Sequence, residues 1–401
     1  MQNVSWRTPL IVLVCGCVIM TISFGIRAGF GLFLQPMSLE FGWGREVFSL
    51  AMAVQNLLWG ALGPLAGGIA DRWGMGRVVA AGGVFYVLGL LAMAYSQTPL
   101  ALTLGSGLLI GLALSGATFG TVLAVIARVM PPEKRSTALG IATAAGSFGQ
   151  FALLPAAQLF ISSFDWQGAL FALAAIAAVI VPLAWAMRGK PATAAAGSQS
   201  LSAALGEAWR ERGFHLLFWG YFVCGFQLLM FTVHLPSFVT DAGLAPRHGM
   251  MALAIIGLFN IIGCFAFGWA GGRYSKKYLL SGIYFVRGGL ILFLIALPLT
   301  PATLYVFAAG MGITWLSTVP LTNGLVGQIF GLRYMAMLTG IVFFGHQIGS
   351  FLGIWLAGWL FDTTGSYTIA FMIAIGLGVF AALVNLPVNE TPIAERRPLP
   401  A

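Results

Sequence analysis

The chain has 401 residues, of which 59% are hydrophobic and only 8% are charged, and its formal net charge is +9. Soluble domains carry about 25% charged residues, so a chain this apolar is expected to lie in lipid. Its cations lie in short segments between apolar runs, which is typical of membrane topology and does not indicate nucleic-acid binding.

Twelve apolar runs long enough to cross a bilayer follow one another along the chain. A helix needs about 20 apolar residues to cross the hydrocarbon core, and the first run is too long for the core of a cleavable signal peptide. The predicted spans cover residues 10–34, 47–70, 78–96, 99–128, 137–162, 166–187, 214–239, 248–271, 278–298, 302–330, 335–361 and 366–387.

A polar segment rich in Ala, Gly and Ser, from Arg188 to Arg212, divides these spans into two sets of six. Such a composition is typical of linkers. We expect an N-terminal six-helix bundle at 1–188, a cytoplasmic linker at 189–212, and a C-terminal six-helix bundle with a short tail at 213–401.

Lys and Arg are distributed unequally between the two sides of the predicted spans. An excess of cations marks the cytoplasmic side, and one side holds only Arg45 and Arg247. We therefore expect both termini and the linker to be cytoplasmic. The cations on that side are Arg7, Arg72, Arg77, Arg128, Lys134, Arg135, Arg188, Lys190, Arg210, Arg212, Arg273, Lys276, Lys277, Arg333, Arg396 and Arg397.

A charged, glycine-rich turn at residues 67–77 follows the second span, and a weaker copy at 268–277 follows the eighth. The glycines permit a tight turn. The Asp71 carboxylate can face the positive end of a nearby helix and a cation such as Arg128, which would form a conformational latch. Because Gly271 stands at the acidic position of the second copy, we expect the latch to be asymmetric.

Two six-helix halves with this turn resemble the major facilitator superfamily of transporters. The family's loop signature is matched at Gly67, Asp71, Arg72, Gly74 and Arg77, whereas Met75 and Gly76 depart from it. The resemblance implies an all-α integral membrane protein of two pseudo-symmetric bundles that works as a monomer.

An enzyme or a cofactor protein is not expected. The sequence holds no nucleophile–base–acid set, the four cysteines form no CxxC pair or metal-ligand cluster, and the glycine-rich run at 105–120 lacks the ending of a phosphate loop. No cofactor or metal is therefore predicted.

Other strings are similar to bacterial carriers of the monocarboxylate and oxalate/formate branch, and they imply a bacterial inner-membrane protein. They lie at residues 25–37, 42–46, 55–57 and 346–353. Characterised relatives bind carboxylates with an arginine in the eighth span and, in the oxalate carrier, a lysine in the eleventh. This chain has Cys264 and His346 there, which does not favour a dicarboxylate cargo.

Two arginines fall inside spans, where ionisable residues are costly and usually mark a pathway. Arg27 in the first span has small neighbours at Gly25, Gly29 and Gly31, and its planar fork of donors suits a carboxylate or phosphate. It is either an anion anchor or a structural cation bonded to carbonyls or reaching outward. For Arg287 we favour packing or helix bonding over cargo contact, because the ninth span is peripheral in this family.

His346 lies near the middle of the eleventh span and has three possible roles. It can bind a substrate oxygen, carry a coupled proton, or pack as a satisfied core histidine. Ser350 lies on the same helix face at i+4 and extends the polar surface. His234, near the outer end of the seventh span, is interpreted as an interface residue.

Buried amides supply the remaining polarity, either as contacts between helices or in a pocket. The better pocket candidates are Gln150, Gln227 and Asn260, because the fifth, seventh and eighth spans line the cavity in this family. Phe30 and Phe231 are candidates for apolar walls.

All eleven acids lie in loops or near span ends, so the charge within the spans is positive. The leading hypothesis is a secondary transporter that moves a small or medium organic anion by alternating access, with proton symport as the expected coupling and uniport or exchange as alternatives. The alternative is an exporter of amphipathic compounds, although the GxxxGPxxGG signature of many drug exporters is absent from the fifth span. A transporter-like receptor without flux is less favoured.

Overall fold

The computed structural model describes residues 8–189, 201–331 and 335–396. Four of the cations used to predict the orientation, Arg7, Lys190, Arg333 and Arg397, lie outside these residues, as do positions 190–200 of the predicted linker. The described part is helical and contains no strand.

The N-terminal half begins with α1 and α2, which together form the first span and are separated by a turn at Gly29 and Phe30. The fourth span is composite, because a π-helical segment at Thr103–Leu109 and a turn at 117–118 interrupt it. The helices are α1 (Pro9–Ala28), α2 (Gly31–Phe41), α3 (Arg45–Trp73), α4 (Met75–Ala94), α5 (Pro99–Leu102), α6 (Ile110–Gly116), α7 (Phe119–Val129), α8 (Pro132–Ala178) and α9 (Ile180–Leu183).

The C-terminal half follows the short helix α10, which lies in the predicted linker. Its tenth span breaks between α14 and α15, and a last short helix, α18, lies in the tail. The helices are α10 (Leu201–Arg210), α11 (Arg212–Asp241), α12 (Pro246–Gly271), α13 (Lys276–Ala296), α14 (Pro301–Thr314), α15 (Thr318–Phe330), α16 (Met335–Thr364), α17 (Thr368–Asn385) and α18 (Ile393–Arg396).

Eleven helical stretches of the described residues are long and apolar enough to cross a membrane, and one of them, Thr137–Leu183, has 47 residues. A straight helix of that length would extend about 70 Å, more than twice the hydrocarbon thickness. The chain turns within it at Asp165, whose φ of 63° and ψ of −176° are not helical. The Asp165 carboxylate then caps the following helix by accepting from the Gly168 amide at 2.8 Å. This stretch is therefore two spans, and the all-α membrane fold is confirmed.

Close backbone contacts at paired glycines occur in both halves. A Cβ on Gly149 of α8 would lie 2.1 Å from the Thr21 carbonyl oxygen of α1, and a Cβ on Gly349 of α16 would lie 1.9 Å from the Phe222 carbonyl oxygen of α11. Only glycine permits such approaches. The first and fifth spans therefore pack as the seventh and eleventh do, which is the internal symmetry expected of a duplicated six-helix unit.

The two halves contact each other along two main lines of helix packing, α3 with α16 and α8 with α12, and α2 also packs against α11. We call the side where α1 begins and α17 ends the terminal side, and the side where α3 begins and α16 ends the distal side. On the distal side Ser49 of α3 lies against Gly358 of α16, and nearer the middle Gly60 lies against Gln347.

The same helix faces separate towards the terminal side. Gly63 and Gly67 continue the face of α3 beyond Gly60, and Gly340 continues that of α16, yet a Cβ on any of them would meet nothing within 4 Å. Gly140 of α8, two turns from Ser147, is equally open. The halves are therefore joined from the distal side to the middle and splayed at the terminal side.

Candidate substrate-binding site between the two halves

Arg27 lies near the middle of the bundle, at the last turn of α1 before the chain breaks at Gly29. Its guanidinium donates through Nη2 to the Asn56 side-chain oxygen of α3 at 2.5 Å and lies 4.8 Å from the ring centre of Trp59. The Nε atom is buried and has no hydrogen-bond partner among the described residues. Arg27 therefore keeps donor capacity that its protein neighbours do not use.

A small cavity lies beside this guanidinium, between helices of both halves. Its walls come from Arg27 and Phe30 of the first span, from Met52, Gln55 and Asn56 of α3, and from Leu229, Thr232 and Val233 of α11. The volume open to the centre of a water molecule is about 10 Å³, close to what a single water needs. The site is thus nearly closed around Arg27, and a larger guest requires its walls to separate.

His346 of α16 lies in the opposite half and is 5% exposed. Its Nδ1 is 3.1 Å from the Gln347 side-chain oxygen and 3.4 Å from the Ser350 hydroxyl, and its ring stacks on Phe343. The Ser350 hydroxyl donates to the His346 carbonyl oxygen at 2.9 Å. Because the Gln347 oxygen can only accept, Nδ1 carries the proton in this arrangement.

Gln347 connects this histidine to the arginine site. Its amide nitrogen donates to the Asn56 carbonyl oxygen of α3 at 2.8 Å. Arg27, Asn56, Gln347 and His346 therefore form a series of hydrogen-bonded neighbours that crosses from one half to the other. Arg27 and His346 are predicted from the sequence as site residues, whereas Gln347 and Trp59 are not. An amide within an apolar run indicates burial, but the run does not show which neighbouring helix the amide faces.

Gln150 and Asn260 lie on the second line of contact between the halves. The Gln150 amide donates to the Leu253 carbonyl oxygen at 3.2 Å, and the Asn260 amide donates to the Ser147 hydroxyl at 2.9 Å. The Asn260 oxygen also accepts from the Leu316 amide at 2.9 Å, beside the break in the tenth span. Both side chains face the other half, but neither lines the cavity beside Arg27.

Gln227 and Phe231 of α11 lie inside the C-terminal half. The Gln227 amide donates to the Ala374 carbonyl oxygen of α17 at 2.9 Å, and the Phe231 ring stacks on Phe371 at a centroid distance of 5.3 Å. The structure therefore brings Arg27 and Phe30 together, joins them to His346 and Ser350 through Gln347, and places Gln227 and Phe231 elsewhere. No three metal-ligating side chains of the described residues come together.

Comparisons with known proteins agree with this architecture. The family model described as Major Facilitator Superfamily matches residues 13–354. This chain belongs to the major facilitator superfamily. It is therefore a multi-pass membrane transporter with a small-molecule substrate, and it is not an enzyme.

Relatives within the superfamily carry related names. The chain is 28% identical over 374 residues to the mouse protein named monocarboxylate transporter 11, with 88% of this chain and 81% of that one covered. It is 27% identical over 371 residues to the MFS-type transporter YcxA of Bacillus subtilis, with 90% of each covered. A solved bacterial homologue of the human lysosomal transporter Spinster, inward-facing and occupied, superimposes with a TM-score of 0.80 at 16% identity, covering 99% of this chain and all of that one. That likeness shows the shared superfamily fold.

The Arg287 side chain of this superfamily member donates hydrogen bonds to backbone carbonyl oxygens at the break in the tenth span. It is fully buried, and its Nη2 donates to the carbonyl oxygens of Thr314 and Trp315, the latter at 2.6 Å. These carbonyls belong to the last turn of α14, where helical partners run out and a cation is favoured. The contacts are those of a helix-bonding residue.

The predicted latch of the superfamily loop is described only in part. Gly74 joins α3 to α4 with a φ of 98°, a conformation that favours glycine, while Arg72, Arg77 and Arg128 are exposed. The Asp71 side chain lies outside the described residues, so the latch with Gly67 and these arginines stays a prediction. In the second copy, a Cβ on Gly271 would lie 2.6 Å from Leu321, so close packing accounts for a glycine there.

A polar cluster on the distal side joins the halves, and we call it the distal cluster. Arg45 at the start of α3 pairs with Asp241 at the end of α11, with both its terminal nitrogens 2.6–2.7 Å from the carboxylate, and it donates to the Tyr367 hydroxyl at 2.6 Å. Asp362 accepts from the Arg45 and Glu46 amides at 2.9 and 2.7 Å. These residues are not predicted as a site from the sequence.

His234 belongs to the same cluster and is buried within it. Its Nδ1 is 3.1 Å from the Tyr367 hydroxyl, and its Nε2 is 2.9 Å from the Ile354 carbonyl oxygen. Burial raises the pKa of the Tyr367 phenol, so this hydroxyl stays protonated. It can accept from Arg45 and donate to the histidine at the same time.

Proposed function

We propose that this protein is a secondary active transporter that moves a small or medium organic anion, bearing a carboxylate, by alternating access between its two halves. The observation that carries the proposal is Arg27: a guanidinium in the middle of the bundle, beside a cavity between the halves, with no acidic partner among the described residues and a free Nε donor.

The chemistry of this cation favours an anionic guest. A charge in a membrane span costs about 2.5–3.5 kcal/mol even on the most lenient scale, which a paired anion offsets. Guanidinium and carboxylate meet through two parallel hydrogen bonds of matched geometry. The relatives named monocarboxylate transporters support the same class of cargo.

Proton coupling is proposed to run through His346. A histidine side chain can bind and release a proton, and among the described residues the acids lie at or near helix ends, away from the cavity. From the distribution of Lys and Arg we propose that the terminal side is cytoplasmic, in a bacterial inner membrane, with the monomer as the working unit. The splayed terminal side would then open towards the cytoplasm.

Uptake by proteoliposomes tests the anion site directly. We expect purified protein to accumulate at least one of radiolabelled acetate, lactate, pyruvate or benzoate when the interior is alkaline. Arg27→Ala should reduce uptake by about a hundredfold, because a charge-assisted double hydrogen bond is worth about 3 kcal/mol. Arg247→Ala, at an exposed arginine of the distal side, is the matched control and should transport normally.

Two results would contradict the proposal. One is uptake of an accepted anion by Arg27→Ala at the control rate. The other is transport of lipophilic cations with no flux of any carboxylate, which would support an exporter of amphipathic compounds instead.

A further inference from the structure

We propose that Gln347 couples occupancy of the Arg27 site to the contact between α3 and α16, with Asn56 as the residue through which it acts. This inference rests on the proposed function for the nature of the guest but not for the connection itself. Gln347 is a positioning residue: it lies in the half opposite Arg27 and does not line the cavity.

Asn56 is placed to register what Arg27 binds. It is 2% exposed; its side-chain oxygen accepts from Arg27 at 2.5 Å, and its side-chain nitrogen donates to the Met52 carbonyl oxygen at 2.8 Å. A carboxylate attracts a guanidinium more strongly than a neutral amide does. An anion at the free side of Arg27 therefore competes with Asn56, whose oxygen is buried and needs a new donor once the arginine turns away.

Gln347 fastens the same residue to the other half. It is fully buried, and its side-chain nitrogen donates to the Asn56 backbone oxygen at 2.8 Å. The approach depends on Gly60, where a Cβ would lie 2.6 Å from Cγ of Gln347. Beyond this bond α3 and α16 touch for about one further turn, where the Trp59 and Phe343 rings are 5.3 Å apart, and then Gly63, Gly67 and Gly340 face open space. A shift of Asn56 thus acts close to the terminal end of the contact that holds these helices together.

The other end of Gln347 reaches His346. The Gln347 oxygen is 3.1 Å from Nδ1 of that histidine, so displacement of the amide also removes a hydrogen-bond partner of the ring. One side chain thereby connects the anion site of the first half to the titratable group of the second.

Spin labels carried on p-acetylphenylalanine at positions 63 and 340 measure this coupling, and they leave the four native cysteines unchanged. Pulsed EPR distances give the ratio of molecules in which α3 and α16 are close to molecules in which they are separated. Arg27→Met and Gln347→Met should each change that ratio. The double variant should depart at least about twofold from the product of the two single effects, because both cut one hydrogen-bonded series.

Gln328→Met is the matched control. Gln328 also uses both ends of its amide, accepting from Lys276 and donating to the Glu390 carbonyl oxygen, but only within the C-terminal half. When Gln328→Met is combined with Arg27→Met, the change in the ratio should equal the product of the two single effects. The coupling is disproved if Gln347→Met leaves the ratio at the parent value, or if its combination with Arg27→Met is as multiplicative as the control.

Sodium benzoate, against sodium chloride at equal ionic strength, adds a second arm. It should change the ratio in the parent and in Gln328→Met. Benzoate should still bind to Gln347→Met but should not change the ratio. Tryptophan fluorescence, to which Trp59 contributes, reports the binding. A normal response of Gln347→Met contradicts the coupling. If no benzoate effect appears in the parent, benzoate is not a guest of the Arg27 site and the first arm alone decides.

Discussion

Arg287 is a charged residue inside the bundle whose side chain bonds to backbone carbonyl oxygens. The break between α14 and α15 leaves carbonyls of α14 without helical donors, and the guanidinium reaches two of them, on Thr314 and Trp315. Its Nη1 also lies 3.4 Å from the Cys224 sulfur. Arg27 and Arg287 each have a buried Nε without a hydrogen-bond partner among the described residues, but it is Arg27 that lines the cavity between the halves. The two arginines therefore differ in what surrounds them.

Replacement of Arg287 by Met should destabilise the protein. The change retains much of the volume but leaves two buried carbonyl groups without a charged donor, which should lower the free energy of unfolding by about 2 kcal/mol. Thermal unfolding in detergent would measure the loss. Arg247→Met, at an exposed distal position, should stay within about 0.5 kcal/mol of the parent. Equal stability of the two variants would show that the break does not depend on Arg287.

The sequence predicts that both arginines lie in spans, because each interrupts an apolar run. It cannot predict which one bonds to backbone carbonyl oxygens, since that depends on where the tenth span breaks and on which neighbour faces the break. Gln347 was missed for a related reason. Its partner is a backbone oxygen on α3, almost 300 positions away in the chain, and backbone acceptors leave no mark in a sequence.

At the scale of elements, the start of α3 is completed by the opposite half. The first amides of a helix lack helical partners and carry partial positive charge. For α3 the residue before the helix is Gly44, whose missing side chain leaves room for the Asp362 carboxylate of α16. That carboxylate accepts from both Arg45 and Glu46 amides. A side chain of the C-terminal half therefore caps a helix of the N-terminal half.

Asp362→Asn should loosen the distal side. It keeps the size of the side chain but removes the charge at the helix terminus, a loss of about 1 kcal/mol, or roughly fivefold in the population of separated halves. The rate at which an aqueous thiol reagent labels a cysteine placed at the buried Ser49 reports that separation. Asp165→Asn, whose carboxylate caps a helix within one half, is the control and should leave the rate unchanged. Equal labelling rates in Asp362→Asn and Asp165→Asn would show that the Asp362 cap does not hold the two halves together.

At the scale of the whole molecule, the sequence predicts the number of spans and the duplicated unit, because hydropathy and span length are fixed by the bilayer. Only Asp165, a single residue within a continuous helical stretch, separates the fifth span from the sixth, and the predicted division at 162–166 matches it. How the halves meet could not be predicted. That depends on side chains such as Ser49 and Gln347 fitting against glycines on helices far apart in the chain.

The arrangement seen here, joined on the distal side and splayed on the terminal side, can be only one of the two that the proposed alternating access requires. Cysteines at Ser49 and Gly358 should lock it, because a Cβ at position 358 would lie 2.8 Å from Cβ of Ser49, and a small shift reaches the separation of about 3.8 Å found in disulfides. Oxidation should abolish uptake of an accepted anion, and reduction should restore it. A pair at Gly67 and Gly340, whose faces look into open space, should cross-link only in molecules that have passed to the opposite arrangement. Uninterrupted transport by the oxidised distal pair would mean that the halves need not part at this contact.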